Sequence, residues 1–280
     1  MPAQIGSAGS QNYLSGLLAL VRRSALQLVR PPSHSRRSEA ARRLARHSLL
    51  ITAIVGALVI VLMVGLDAQE IALMPPRGSA GLWIVRILTD FGKETYVLCL
   101  LAGMLLVVAV MAPGLRRTLQ SRLLSFGTRL QFLFFAVLAP VLAGEVIKWI
   151  AGRGRPFVGG KANPFNFVPF SGTEAHASFP SAHAITSVAL AFAISAVWPR
   201  ARPVMIVYVL LIVATRLVLL AHHPSDVVAG GLIGVIGAMA VRYWFAARSL
   251  GFAIHRDGEI VPIPGVGRRL KRVAAEPSAP

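Results

Sequence analysis

The chain alternates long uncharged runs with short charged segments. Six runs approach the roughly 20 apolar residues that a helix needs to cross a bilayer core of about 30 Å. Ser48–Leu66 and Thr95–Pro113 carry no charge. A third runs from Leu130 to about Ile150 and is apolar until Glu145 and Lys148. Ala182–Pro199 contains His183 as its one titratable group, and Pro203–Ala221 is interrupted by Arg216 alone. The sixth, Asp226 to about Phe245, is uncharged from Val227 to Val241. The pattern predicts an all-α membrane protein built as a six-transmembrane-helix bundle.

The intervening segments read differently. Leu82–Glu94 is too charged to span, follows Pro75-Pro76, and is expected as a short surface helix with Trp83 at the interface. Gln11–Arg30 has two readings that stay open: a basic amphipathic helix stopped by Pro31-Pro32, or a loosely ordered basic tail. The first 46 residues lack the short apolar core and small-residue cleavage site of a signal peptide. Gly230, Gly234 and Ala238 recur every four residues, a small-residue face suited to close helix packing. The expected organisation is a basic tail at 1–46, a six-helix domain at 47–247, and a flexible basic tail at 248–280 with the GRRLKR cluster.

Composition agrees with a membrane protein. Hydrophobic residues make up 55% and charged residues 14% of the 280, against about 25% charged in soluble domains. That balance excludes a soluble domain and a disordered chain. The single cysteine, Cys99, excludes a disulfide scaffold and is expected in packing. The net charge of +18 would point to nucleic acid in a soluble protein, but its placement follows the spans. With both termini on one side, 21 of the 29 Lys and Arg fall there. The positive-inside rule then makes both termini cytoplasmic and turns the 151–181 loop outward. The partner is therefore the lipid bilayer, and no nucleic acid is expected.

Ionisable groups at the ends of spans are costly and mark functional sites. They gather at Lys148-WIAGRG-Arg155-Pro156, at Pro180-Ser181-Ala182-His183, and at Arg216-LVLLA-His222-HPS-Asp226. Antiparallel spans bring these three segments to one bilayer depth, on the outer side. Three clustered cations, Lys148, Arg155 and Arg216, repel one another unless a multiply charged anion lies among them. A phosphate monoester or pyrophosphate fits. A neutral imidazole can attack phosphorus when a carboxylate fixes its tautomer, and Asp226, four residues after His222, is expected to do so. His183 then protonates the leaving oxygen. Nothing in the sequence resembles a metal-ligand set, so neither a metal nor another cofactor is expected.

Lys-x6-Arg-Pro at 148–156, Pro-Ser-x-His at 180–183 and Arg-x5-His-x3-Asp at 216–226 resemble the three signature motifs of the type 2 phosphatidic acid phosphatase superfamily. The resemblance implies His222 as nucleophile forming a phosphohistidine, Asp226 as its partner and His183 as general acid. It assigns Lys148, Arg155, Ser181, Ala182 and Arg216 to the phosphate oxygens. Ala182 stands where the family usually has Gly, and Thr215 where it has Ser; neither change removes a chemical group. His176 and His223 read as structural or surface residues. Glu145 is expected to hold Lys148, Glu174 to be a solvated loop charge, and Arg153 to sit at the rim with a part in binding left open.

The resulting expectation is a lipid phosphatase of a bacterial inner membrane, with its site facing the periplasm. The alternative is a phosphotransferase that passes the phosphoryl group to a second lipid. Undecaprenyl pyrophosphate, phosphatidylglycerophosphate, phosphatidic acid and a lipid A phosphate all remain open as substrates.

Overall fold

The apolar runs fold as helices that end close to where the sequence marks them, and all but two also begin there. In the computed structural model, residues 5–74, 80–156, 158, 163–255 and 259–263 are described, the side chains of 5–12, 34–36, 72 and 80 excepted. Helix α1 is Ile5–Val29, α2 is His34–Gly65, α3 is Asp67–Leu73 and α4 is Trp83–Asp90. They are followed by α5 (Glu94–Met111), α6 (Arg117–Ala151), α7 (Ala182–Val197), α8 (Arg202–Val218) and α9 (Pro224–Ala247). A hairpin of β1 (Phe252–Ile254) and β2 (Ile260–Pro262) comes last.

Among the described residues, five helical stretches are long and apolar enough to cross a membrane: Arg37–Gly65, Glu94–Gly114, Arg117–Ala151, Pro199–Val218 and Pro224–Ala247. The sixth expected span, α7, has 16 residues, a rise of about 24 Å. Pro180 precedes its start and Pro199 follows its end, and it lies inside the bundle on alanines such as Ala184, Ala189 and Ala193. α2 and α6 extend well before their apolar runs, because Arg, Leu, Ala and Gln there are good helix formers. Leu49, Val64, Leu100 and Leu210 all face outward, an apolar exterior suited to lipid rather than water.

α9 is the central helix, packed against α2, α6 and α7. Its small-residue face makes that packing possible. A Cβ on Gly230 would lie 2.6 Å from the Ser181 carbonyl oxygen, and one on Gly234 would lie 2.7 Å from that of Ile185. These two glycines therefore let the start of α9 sit directly on the start of α7.

Of the two N-terminal readings, the helix is the one observed. α1 docks through Tyr13, whose hydroxyl donates to the Val110 carbonyl at 2.5 Å, and through Trp244, whose indole donates to the Leu28 carbonyl at 3.2 Å. α4 supplies the short helix expected within Leu82–Glu94, and Trp83 on it is exposed. Two expectations need correction. Phe252–Ile254 and Ile260–Pro262, read as part of a flexible tail, pair as antiparallel strands, because Phe252 and Ile260 are buried and Phe252 meets Phe132 edge to face with ring centroids 4.7 Å apart. The GRRLKR cluster at 267–272 lies outside the described residues. Cys99 is exposed on α5 rather than packed inside.

Candidate active site

The three motif segments meet at one end of the bundle because α6 and α8 finish there while α7 and α9 begin there. α6 stops at Gly152, which takes a left-handed conformation (φ 55°) that favours glycine. A Cβ there would sit 1.9 Å from the Val168 carbonyl oxygen. The chain then pairs back on itself, with Arg153 bridging to Phe167 and Gly154 N–H donating to the Asn166 carbonyl at 2.8 Å. This turn sends Arg153 inward and leaves Arg155 facing the opening.

A cavity of about 640 Å³ occupies the junction. Lys148, Arg155, Ala182, His183, Arg216 and His222 all line it. Ser181 and Asp226 do not; they are fully buried beside it. The Ser181 N–H donates to the Asp226 backbone carbonyl at 3.1 Å, and its hydroxyl has no partner among the described residues. Ala182 and His183 open α7, where first-turn N–H groups lack helical acceptors and favour an anion.

Acidic side chains pair with Lys148 and Arg155. Glu145 accepts from the Lys148 ammonium, the pairing expected one turn apart. Arg155 donates to the Glu174 carbonyl at 3.0 Å and to its carboxylate at 3.2 Å, while the Glu174 side chain remains 97% exposed. Arg216 is held from below by Thr89 of α4, whose hydroxyl accepts from Nη1 at 2.7 Å. Thr215 donates to the same Thr89 oxygen at 3.0 Å. Lys93 brings a further cation to the lining, and His176, read as structural or surface, is there too.

His222 makes a different contact from the one expected. Its Nδ1 lies 2.7 Å from the Ser178 carbonyl oxygen. A carbonyl only accepts, so Nδ1 carries the proton and Nε2 keeps its lone pair. Asp226 instead receives Arg153 Nη1 at 2.5 Å, the Ser178 hydroxyl at 2.6 Å and the His223 N–H at 2.9 Å. The reason is local: Asp226 is the third residue of α9 and turns back to cap its start. Its carboxylate therefore reaches His222 through the two polar groups of Ser178. Burial, then Arg216 and Arg155, hold the His222 imidazole well below its usual value and hence neutral.

Arg153 is also corrected, from the rim to the interior. It is wholly buried and gives hydrogen bonds to Asp67, Asp226, Ser225 and the Pro164 carbonyl. Of the two readings of His223, structural or surface, its complete burial matches the structural one. Glu70 of α3 is buried with neither carboxyl oxygen partnered among the described residues. Burial, followed by the charges of Asp67 and Asp226, pushes it up to about 7. Asp67, Thr89, Ser178 and Ser225 were not singled out by the motifs. The sequence signal for Asp67 was present, an acid directly after an apolar run.

A family model described as PAP2 superfamily matches residues 129–250. Lipid A 1-phosphatase of Rhizobium etli is 30% identical over 174 residues, covering 61% of this chain and 75% of that protein. The chain belongs to the PAP2 superfamily. Lipid A 1-phosphatase of Rhizobium johnstonii is 36% identical over 127 residues, 45% of this chain and 52% of that relative. The match thus spans about half of one relative and three quarters of the other. No solved structure matches the chain. The PAP2 match takes in all three motif segments, whereas α1 to α5 precede it.

Proposed function

We propose that the protein is an integral-membrane lipid phosphatase that works through a phosphohistidine on His222. Its PAP2 membership and its two lipid A 1-phosphatase relatives support the phosphatase class and a lipid substrate. The observation that carries the mechanism is the Nδ1 contact of His222 to Ser178 in a cavity also lined by Lys148, Arg155 and Arg216. The cations draw in the phosphate and stabilise charge on its oxygens. Nε2 attacks phosphorus, the N–P bond forms, and the P–O bond to the lipid breaks. His183 gives its proton to the departing lipid oxygen. Water then attacks the phosphohistidine with His183 taking its proton, and phosphate leaves. Ser181 and the N–H groups of Ala182 and His183 complete the oxyanion contacts, and Asp226 supports His222 through Ser178.

The proposed setting is a bacterial inner membrane, with the domain at 47–247 crossing six times and α7 as the short span. Both termini face the cytoplasm, which places the cavity at the periplasmic surface within reach of a lipid headgroup. The charge stabilisation comes from protein cations, so turnover proceeds without added metal. Among candidate substrates, the relatives' names favour the 1-phosphate of lipid A.

The test is phosphate release by purified protein in detergent with EDTA. The panel comprises lipid A, phosphatidic acid, phosphatidylglycerophosphate and undecaprenyl pyrophosphate, with His222→Ala as control. Release lost in His222→Ala supports the proposal. Release that persists in the mutant, or that requires a divalent metal, overturns it.

A further inference from the structure

We propose that Asp67, at the start of α3, is a positioning residue for the His222 reaction, acting through Arg153, Asp226 and Ser178. This rests on the phosphohistidine reading above. Asp67 lies outside the 129–250 stretch that matches the family model, on the segment that follows the first long apolar helix. It is completely buried, and each of its oxygens is used. Oδ1 accepts the Ser225 N–H at 3.0 Å; Oδ2 accepts Arg153 Nη2 at 2.8 Å and the Ser225 hydroxyl at 2.5 Å.

The fork of Arg153 is therefore divided between two carboxylates from distant parts of the chain. Nη2 is held by Asp67 and Nη1 by Asp226. That division leaves Asp226 Oδ2 available for the Ser178 hydroxyl. Without Asp67, the geometry of a guanidinium favours a two-pronged grip on Asp226. Such a grip would take the oxygen that now anchors Ser178, and the Ser178 carbonyl would lose its fixed place on His222 Nδ1.

Charge points the same way. One guanidinium needs one carboxylate for neutrality, yet two are present, all wholly buried. The cluster thus carries a formal excess of one negative charge behind an imidazole that becomes cationic when phosphorus bonds to Nε2. Glu70 of the same helix shares this surrounding: burial first, then Asp67 and Asp226, push its carboxyl upward.

The experiment compares full-length wild type and Asp67→Asn in detergent on lipid A, with two readouts. The first is kinetic. The expected result is a loss in kcat of about ten- to hundredfold, the usual weight of a hydrogen bond to a charged group, with KM within about twofold. The second readout is the ¹⁵N spectrum of histidine-labelled protein, with the His222 signals identified by difference against His222→Ala. Wild type should show His222 with its proton on Nδ1, and Asp67→Asn a mixture of tautomers. A folded Asp67→Asn with unchanged kcat, or with an unchanged His222 tautomer, overturns the proposal. If wild type releases no phosphate from lipid A or from any other lipid of the panel, the phosphatase reading fails and the tautomer comparison still decides the role of Asp67. If Asp67→Asn does not fold, Ser225→Ala replaces it, since that change loosens the same clamp without removing a charge. A severalfold drop in kcat supports the proposal, and wild-type kcat in Ser225→Ala overturns it.

Discussion

His222 presents Nδ1 to the carbonyl oxygen of Ser178 at 2.7 Å, and the hydroxyl of that same serine donates to Asp226 at 2.6 Å. One residue thus joins the proposed nucleophile to its acid. The carbonyl fixes the tautomer, a task a carboxylate performs in other histidine sites, while the carboxylate fixes the carbonyl. Asp226 in turn is shared with a buried guanidinium, so its position depends on contacts from α3, the 153–178 loop and α9.

Asp226→Asn is expected to lower kcat by about a hundredfold or more and to destabilise the fold by roughly 1–3 kcal/mol, since it weakens the buried hydrogen bonds to Arg153, Ser178 and the His223 N–H while leaving Asp67 on the guanidinium. Steady-state kinetics and thermal unfolding of the same preparation check both parts. Near-wild-type stability would mean that Arg153 finds full compensation in Asp67.

Thr89→Val removes the oxygen that receives Arg216 and Thr215 while keeping the side-chain shape. Arg216 then loses its seat under the cavity. KM should rise about three- to tenfold, with kcat less affected, and Thr89→Ser should retain most of the wild-type KM. Equal losses in kcat and KM from both substitutions would contradict this.

How far the sequence led differs between fold and site. The apolar runs and the ionisable residues at their ends were legible because lipid imposes length and charge rules on each helix separately. The length of α7 was less so: its apolar run continues through Trp198 to Pro199, while the helix stops at Val197. The gathering of Lys148, Arg155, His183, Arg216 and His222 followed from antiparallel spans. The Asp67–Arg153 and Thr89–Arg216 pairs were hidden because they join residues 86 and 127 positions apart. Spacing within a motif says nothing of such contacts. Asp226 misled for a related reason: four residues after His222 suggests direct contact, but the intervening helix start captures its carboxylate.

Gly230→Leu should separate α7 from α9. Its Cβ alone would meet the Ser181 carbonyl at 2.6 Å, a backbone atom that cannot yield without moving the start of α7. Overpacking of this kind costs about 1–3 kcal/mol or more. The expected result is a lower thermal midpoint and activity reduced by at least tenfold in the fraction that stays folded. Gly231→Ala is the control, since a Cβ there meets its nearest neighbour at an ordinary 3.6 Å.

Glu70 gives a pH signature. Its carboxyl is raised from the ordinary 4.5 to about 7 in the fold. Between those values the folded state binds more proton than the unfolded state, so stability falls as pH rises and the penalty is complete above about pH 7. Glu70→Gln removes the charge. It should match wild type below about pH 4.5 and exceed it by roughly 1–3 kcal/mol at pH 8. Denaturant unfolding at both pH values reads the difference, and a gap that is constant with pH would contradict the assignment.

The central claim is that phosphate passes through His222, and trapping that intermediate tests it most directly. Wild-type protein is mixed with lipid carrying labelled phosphate, taken from the panel member it hydrolyses, and quenched in base within milliseconds. Peptides are then mapped for an acid-labile, base-stable phosphoryl group. The expected result is label on the peptide containing His222, absent in His222→Ala and accumulating in His183→Ala on a substrate whose leaving group needs no proton. Turnover with no label on His222, or label on another residue, would contradict it.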